Sequence, residues 1–243
     1  MNSRPSTSSG PTDQNGEADR VKAAYARRDE LGLDARYEYW QPANLFIYQA
    51  RERALLAHLR KASLLPLTGR RVLDAGCGDG SVLRDLLRYG ANQRDLDGID
   101  LLPERVERAK ALLPWAKIET GDAQTLPYED ETFDLVLGFT LLSSVMDPAA
   151  RKAVAGEMRR VTMRGGLVLV YDFRLNPLNR DVRPVPTAEL QELFAGSTVE
   201  FKSTTLAPPL LRTLIKAPGG WFACSALDML PFLRTHYVAA VHV

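Results

Sequence analysis

The sequence predicts an α/β fold with a doubly wound, mostly parallel sheet of seven strands. Two observations support this prediction. Strand-like and helix-like segments alternate along the chain from residue 70 onward, which is the pattern of connected β–α units. Several of the strand-like segments are nearly continuous apolar runs, as expected for strands that helices cover on both faces. N-terminal helices and a helical insert before the last strand complete the predicted architecture.

The individual elements follow from local patterns. A short amphipathic helix is predicted from Arg20 to a stop at Gly32, and a long helix from about Ala43 to Ala62. Apolar runs predict seven strands, at residues 70–76, 95–101, 116–123, 133–139, 166–173, 197–207 and 236–243. Helices are predicted between them at residues 81–89, 103–113, 147–162 and 187–195.

The chain divides into a tail and one domain. Residues 1–19 are mainly Ser, Pro, Gly and other polar residues. They are predicted to be a disordered tail, because they cannot bury enough apolar surface to offset the entropy of ordering. Residues 20–243 are predicted to form a single domain. Its expected parts are an N-terminal helical cap (20–66), a core (67–205), a helical lid (206–235) and the last strand (236–243).

Composition excludes some classes of partner. The 31 Lys and Arg residues nearly balance the 30 Asp and Glu residues, so no nucleic-acid partner is expected. No uninterrupted apolar run reaches the length that spans a membrane. The chain has only two cysteines, Cys77 and Cys224, and we expect both to be reduced in a cytoplasmic protein.

The segment "VLDAGCGDG" at residues 72–80 is predicted to form the turn from the first strand of the sheet into a helix. Its glycines, Gly76, Gly78 and Gly80, fall where a doubly wound sheet binds its ligand, at the carboxyl ends of the strands. Glycine here either supplies backbone angles that other residues resist or lets a ligand approach the bare backbone. A dinucleotide site would need the spacing G-x-G-x-x-G, and Ser81 stands at its last position.

This segment resembles the first motif of the class I S-adenosylmethionine-dependent methyltransferases, including the acid two positions before the first glycine. The resemblance extends over residues 68–173. "GIDLLPERVERAK" resembles the second motif, "GDAQTLPYEDETFDLVLGF" the third and fourth, and "EMRRVTMRGGLVLVYDF" the helix, glycine turn and fifth strand. The resemblance implies that the cofactor is S-adenosylmethionine and its product S-adenosylhomocysteine, and that the last strand is antiparallel to the others.

The resemblance also implies which residues bind the cofactor: Asp74, Gly76, Cys77, Gly78, Gly80, Asp100, Leu101, Asp122, Ala123 and Phe139. Asp100 ends the second strand, where a carboxylate offers acceptors to the two donors of a ribose diol. Asp122 matches a residue near the adenine amino group, and Ala123 offers a backbone amide to the ring. Asp74 either holds the glycine loop or faces the methionine amino group, and Phe139 either packs on the adenine or fills the core.

Candidates for the reaction itself are fewer. In the family the last strand starts at the cofactor edge, so His236 is predicted to be the general base or to orient the acceptor, with Asp172 as second choice. Four aromatic residues are predicted to line the acceptor pocket or else to fill the core: Tyr39, Trp40, Tyr48 and Trp221. Two of the three metal ligands of the catechol-type enzymes are missing from the corresponding regions, so no metal is predicted.

The predicted function is methyl transfer to a small-molecule acceptor, with oxygen favoured as the acceptor atom, in natural-product or glycoside biosynthesis. The apolar lid at 206–235 also suits C-methylation of a quinone-like or terpenoid-like acceptor. A nicotinamide-dependent oxidoreductase on a similar sheet is a second enzyme class, and a non-catalytic protein that binds the cofactor and regulates a partner is a third reading. The sequence leaves both a monomer and a homodimer open.

Overall fold

A seven-stranded sheet runs through the computed structural model, which describes residues 14–30, 38–175 and 181–243. The strands are β1 Val72–Ala75, β2 Leu96–Asp100, β3 Lys117–Thr120, β4 Phe133–Phe139, β5 Thr162–Phe173, β6 Thr198–Leu206 and β7 Arg234–His242. The helices are α1 Gln14–Glu30, α2 Pro42–Lys61, α3 Ser81–Leu86, α4 Pro103–Leu112, α5 Pro148–Val161, α6 Thr187–Leu193, α7 Pro208–Leu214 and α8 Gly220–Asp228.

The strand order is β3-β2-β1-β4-β5-β7-β6. Neighbours from β3 through β5 pair in parallel, whereas β7 pairs antiparallel with both β5 and β6. The predicted mostly parallel sheet with an antiparallel last strand is therefore confirmed. The chain winds outward in one direction from β1 and in the other from β4, so the β1–β4 boundary is the switch point where such sheets bind ligands.

Helices cover both faces of the sheet. Alternate strand residues such as Val72 and Leu96 pack under α2, α3 and α4 on one face. The residues between them, such as Leu73 and Ile99, pack under α5 and α6 on the other face. Because each strand buries both of its faces, its sequence is an apolar run rather than an alternating pattern.

The first helix starts earlier than predicted. It begins at Gln14, so residues 14–19 of the predicted tail are helical. One contact with the rest of the fold stabilises this turn, because the Glu17 carboxylate accepts a hydrogen bond from the Met146 amide (2.7 Å). Glu17 also pairs with Arg20 within the same helix. Residues 1–13 and the predicted helix stop at Gly32 lie outside the described residues.

The segment before the last strand is helical, as expected, but it packs beside α2 instead of covering the acceptor pocket as a lid. Leu211 of α7 and Cys224 of α8 form a buried cluster with Ala43 and Phe46 of α2. The segment therefore has its own small core beside α2. Both cysteines of the chain are free, and among the described helices none is long and apolar enough to cross a membrane.

Candidate functional site

A cavity of about 520 Å³ lies at the carboxyl ends of β1, β2 and β4. The strand tips and the loops that follow them form its floor, and α1 and the first turns of α2 line its other side. This is the place that the switch point of the sheet predicts. A cavity of this size is in the usual range for small-molecule sites.

The glycine loop after β1 owes its sequence to several separate constraints. Gly76, Gly78 and Gly80 all have left-handed backbone angles, with φ of +74°, +55° and +79°, which other residues adopt only with strain. Gly76 and Gly78 line the cavity. Gly80 does not; a Cβ there would lie 3.1 Å from the Cβ of Ala109, so this glycine lets the start of α3 pack against α4.

Asp100 connects the tip of β2 to the glycine loop. Its Oδ2 accepts a hydrogen bond from the Gly78 amide (2.8 Å), and its Oδ1 accepts one from the Leu102 amide (3.0 Å). Burial raises the pKa of this carboxyl group, and the two amide bonds oppose that effect. The carboxylate holds the loop in place and still has lone pairs for two ligand hydroxyls, since each oxygen accepts more than one hydrogen bond.

Asp74, at the third position of β1, is the most unusual side chain of the site. It is 1% exposed and lines the cavity, and its buried Oδ1 accepts no hydrogen bond from a described residue. Burial, together with the charge of Asp100, raises its pKa to about 8. A buried carboxyl oxygen without a partner is costly in the free protein. Its position at the cavity suggests that a cationic or hydrogen-bonding ligand supplies the missing partner.

The remaining predicted cofactor residues from β2, β3 and β4 also reach the cavity. Leu101, Asp122, Ala123 and Phe139 all line it. The Asp122 carboxylate accepts hydrogen bonds from the backbone and the side-chain amide of Gln124 (2.8 and 3.0 Å). Gln124, which the sequence reading missed, therefore shares this end of the cavity with Asp122.

Cys77 lines the cavity as a buried thiol. It is 4% exposed, and burial raises the pKa of its thiol, with the charges of Asp74 and Asp100 adding to the effect. Only the thiolate attacks an electrophile. Its backbone N–H donates to the Ile99 carbonyl (3.0 Å), so Cys77 contributes a small side chain to a crowded turn.

Arg51 on α2 is a site residue that the sequence reading missed. Its guanidinium carbon lies 4.8 Å from the ring centre of Tyr48, 5.3 Å from that of Phe139 and 5.6 Å from that of Tyr171. It lines the cavity, and it lowers the pKa of Asp74 against the effect of burial. These rings orient the cation without neutralising it. One signal could have found it, because Arg51 follows the predicted pocket residue Tyr48 by three positions on the same helical face.

The N-terminal helix forms the outer wall. Glu17 and Tyr25 line the cavity, and the Tyr25 ring lies 4.1 Å from the guanidinium carbon of Arg105 on α4. Arg20 donates a hydrogen bond to the Ser144 carbonyl in the loop after β4. These contacts are mainly polar, so amphipathic patterning could not predict where α1 docks.

The loop after β4 begins with a strained residue. Thr140 has a φ of +55° and lines the cavity, and such angles in residues other than glycine concentrate at functional sites. Its amide donates to the Tyr171 carbonyl (2.7 Å), and its own carbonyl accepts from the Ser144 hydroxyl (2.7 Å). The bend directs residues 141–145 across the cavity floor.

Of the four predicted acceptor-pocket residues, the structure brings two to the cavity. Tyr39 and Tyr48 line it, and their ring centres lie 5.4 Å apart. Trp40 does not line it and is 71% exposed. Trp221 also lies away from it and packs edge-on against Phe46, with ring centres 5.2 Å apart. None of the residues 206–235 lines the cavity, because the segment packs on the far side of α2.

Neither predicted catalytic residue lies along the cavity. His236 is at the expected edge of the sheet but is 5% exposed, with its ring centre 5.2 Å from that of Tyr171 and 4.3 Å from that of Phe173. Burial lowers its pKa to about 3. Its Nδ1 forms a hydrogen bond with the Thr235 hydroxyl (2.9 Å). The ring is therefore a neutral member of an aromatic cluster.

Asp172 is fully buried, and it positions the loop that follows β4. Its Oδ2 accepts from the Ser143 amide (3.0 Å) and its Oδ1 from the Phe173 amide (2.9 Å). Burial raises its pKa to about 6, while these hydrogen bonds lower it. The direction of each strand predicts the edge of the sheet at which His236 and Asp172 lie, but it does not predict how deeply their side chains are buried.

His58, the third histidine of the chain, is buried on α2. Its Nε2 lies 3.2 Å from the carbonyl oxygen of Val238 in β7. Within the described ranges, no three or more His, Cys, Asp or Glu side chains are arranged to hold a metal ion.

Comparisons with known proteins agree with this geometry. Residues 72–166 match the family model of a methyltransferase domain. The chain is 32% identical to a phosphatidylethanolamine N-methyltransferase of Cereibacter sphaeroides over 177 residues, which is 67% of this chain and 82% of that protein. It is 32% identical to the 27-O-demethylrifamycin SV methyltransferase of Amycolatopsis mediterranei over 157 residues, covering 61% of this chain and 55% of that one.

A solved structure shares the fold. It is the complex of the Haloferax volcanii Trm112 methyltransferase activator with a putative methyltransferase, matched over 92% of this chain and 97% of that one, with a TM-score of 0.58 and 21% identity. The chain spans 30% to 63% of the length of four other curated relatives that it matches, including the rifamycin enzyme. From the motif, the fold and these matches together, the chain belongs to the class I S-adenosylmethionine-dependent methyltransferases.

Proposed function

We propose that this protein transfers a methyl group from S-adenosylmethionine to a small-molecule acceptor, and that the acceptor atom is an oxygen. The observation that carries the proposal is the buried, unpartnered Asp74 carboxyl group beside a glycine loop at the switch point of the sheet. A phosphate group offers this carboxyl group no positive charge to pair with. A ligand that brings an ammonium group would pair with its ionised form.

The charges of the cavity fit the two ends of the cofactor. Asp74 would bind the ammonium group of the methionine portion, and Asp100 would accept hydrogen bonds from the two ribose hydroxyls. Arg51 makes no ion pair with a described residue, and its guanidinium would bind the methionine carboxylate. Leu101, Asp122 and Ala123 would hold the adenine end. When bound, S-adenosylmethionine supplies a methyl group that its positive sulfur already makes electrophilic.

The chain's remaining task is to position the acceptor and, for a neutral hydroxyl, to remove a proton. Tyr25, Tyr39 and Tyr48 line the cavity and offer ring faces to an acceptor. Glu38 also lines it, and we assign the role of general base to this carboxylate instead of to His236. This general base is needed only if the acceptor hydroxyl enters the cavity still carrying its proton.

The names of the relatives point to different acceptor atoms. One relative is named as methylating 27-O-demethylrifamycin SV, which supports oxygen and a natural-product acceptor. Another is named as an N-methyltransferase of phosphatidylethanolamine, and an amine acceptor would need no base once deprotonated. A biosynthetic role in natural-product or glycoside methylation is the form of the proposal that we would test first.

The first test is calorimetric titration with S-adenosylhomocysteine and, separately, with NAD. We expect the first to bind and the second to bind far more weakly. Binding of NAD alone would overturn the proposal. The acceptor is then sought by incubating the protein and methyl-labelled S-adenosylmethionine with small-molecule extracts, and the labelled product shows which atom is methylated. Absence of any labelled product from an enzyme that binds the cofactor would favour the non-catalytic reading.

The base is tested with Glu38→Gln once an acceptor is known. Turnover of a hydroxyl acceptor should fall by about 10²–10⁴-fold with cofactor affinity unchanged, and the remaining activity should rise with pH as the acceptor ionises. Glu192→Gln is a matched control, because Glu192 is an exposed glutamate on α6 that does not line the cavity. Unchanged turnover in Glu38→Gln would remove Glu38 from proton transfer.

A further inference from the structure

We infer that the apolar face of α8 and the turn after it docks this protein on the surface of an anionic lipid bilayer. Five large exposed apolar side chains lie on α8 and in the turn after it, and we call them together the lid patch: Trp221, Phe222, Met229, Leu230 and Phe232. Phe222 is 81% exposed, Met229 77% and Phe232 71%. Scattered exposed apolar residues are ordinary, but a concentration of them within twelve consecutive residues marks an interaction surface.

The lid patch carries almost no charge of its own. Between Gly219 and Leu233 the only charged residue is Asp228. Its side chain is 15% exposed and lies 3.5 Å from the Arg234 guanidinium. Arg234 also donates a hydrogen bond to the Asp228 carbonyl (2.7 Å). The single acid is therefore turned inward and paired, and the outer face is left apolar.

Two exposed cations, Lys216 and Arg53, lie near the lid patch. Lys216 is exposed in the turn between α7 and α8. The backbone of Gly220 packs directly on that turn, since a Cβ there would lie 2.1 Å from the Leu214 carbonyl oxygen. Arg53 is exposed on α2 and is close enough to Asp228 to lower the pKa of that carboxyl group. Aromatic and aliphatic side chains bordered by cations are the composition of segments that lie in the interface of an anionic membrane.

The lid patch and the cavity share one helix. Phe46 of α2 contacts Trp221 of the lid patch, whereas Tyr48 and Arg51 of the same helix line the cavity. A protein docked through the lid patch would therefore have α2 between the membrane and its cavity. Docking itself requires neither the cofactor nor the reaction, so the inference stands or falls separately from the proposed function.

The test is sedimentation of the full chain with large vesicles of phosphatidylcholine alone and of phosphatidylcholine mixed with phosphatidylglycerol. We expect binding to the mixed vesicles that is at least about tenfold stronger than binding to phosphatidylcholine alone and that weakens with salt. The double variant Phe222→Ser, Phe232→Ser should lose about tenfold or more of this binding. Lys216→Glu should lose a similar amount on mixed vesicles only.

Trp115→Ser is the matched control, because Trp115 is 68% exposed and stands just before β3, at the opposite edge of the sheet from the cavity. It should bind vesicles like the unmodified protein. Binding of S-adenosylhomocysteine, measured on every variant, confirms that each is folded. The inference is overturned if the unmodified protein does not sediment with mixed vesicles, or if Trp115→Ser weakens sedimentation as much as the double variant does. It is also overturned if the lid patch instead drives self-association in analytical ultracentrifugation without vesicle binding, since the occupant would then be a second copy of the chain.

Discussion

Binding of the cofactor product should release a proton from Asp74, and the amount can be worked out from the structure. In the free protein the pKa of this buried carboxyl group is about 8. At pH 7 about nine-tenths of the molecules therefore hold a proton there. S-adenosylhomocysteine carries an ammonium group whose partner must be the ionised carboxylate. Each binding event at pH 7 should then release about 0.9 proton.

The sign and the size of the pH dependence follow. Below pH 8 the carboxyl group must lose its proton before it can pair, so affinity rises with pH and falls by about tenfold for each unit below pH 8. Between pH 8 and pH 6 we expect Kd to increase by roughly fifty-fold. Asp74→Asn removes the titration and keeps the shape of the side chain. Its affinity should be about 10–100-fold weaker at pH 8 and nearly independent of pH.

The assay is calorimetry in two buffers of different ionisation enthalpy, which gives the number of protons released on binding. 5′-Methylthioadenosine is the matched probe, because it keeps the nucleoside and lacks the amino-acid portion. It should release almost no proton and should bind Asp74→Asn as tightly as the unmodified protein. The reasoning is refuted if S-adenosylhomocysteine releases no proton, or if Asp74→Asn releases as many protons as the unmodified protein.

Three further predictions concern Arg51, Asp100 and His236. Arg51→Gln should weaken S-adenosylhomocysteine by about tenfold or more while leaving 5′-methylthioadenosine within about threefold, because only the former carries a carboxylate; equal losses for both ligands in titration would contradict this role. Asp100→Ala should cost roughly 1.5–3 kcal/mol in binding of both nucleosides, measured in the same way, because both carry the ribose diol; an undiminished affinity would exclude the contact. His236→Phe should reduce the pH dependence of folding stability. Burial lowers the folded-state pKa of His236 to about 3, so the unmodified protein should lose about 2 kcal/mol of stability between pH 7 and pH 5, as the pH falls through the unfolded-state pKa near 6.5. Denaturant unfolding at the two pH values should show a correspondingly smaller loss in the variant, and an equal loss would mean that the ring is protonated in the folded protein.

The sheet could be predicted from the sequence because its signals are local. The bounds of β4, 133–139, are those that the apolar run predicts, and the acid at the tip of β2 lies beside the glycine loop as the motif requires. In a parallel sheet the ends of neighbouring strands meet at one edge, so a residue at a strand end is located in space once its strand is found. For this reason the structure brings the residues at the strand tips, including Asp74, Asp100 and Phe139, together at one cavity.

The helix-borne part of the site could not be predicted in the same way. The sequence gives the face of α2 that is apolar but not the neighbour that this face meets. Tyr48 and Arg51 reach the cavity, while Trp40 is exposed to solvent. The segment 206–235 is a second example. Its apolar residues predict that it covers another part of the protein, but they do not predict that this part is α2. Docking of α1 depends on the contact between Glu17 and the Met146 amide, and a single polar contact of this kind leaves no periodic trace in the sequence.

Three buried titratable side chains at the same edge of the sheet show what separates a binding residue from a core residue in this molecule. His236 and Asp172 are buried with hydrogen-bond partners supplied by the chain itself. Their burial is complete in the free protein, and neither faces the cavity. Asp74 is buried as deeply, but its Oδ1 has no partner among the described residues. Because an unsatisfied buried carboxyl group is costly, and because this one opens onto a cavity, the missing partner is most economically a ligand. Chemical type and strand position, which single out all three residues in the sequence, do not make this distinction; the hydrogen-bond partners do.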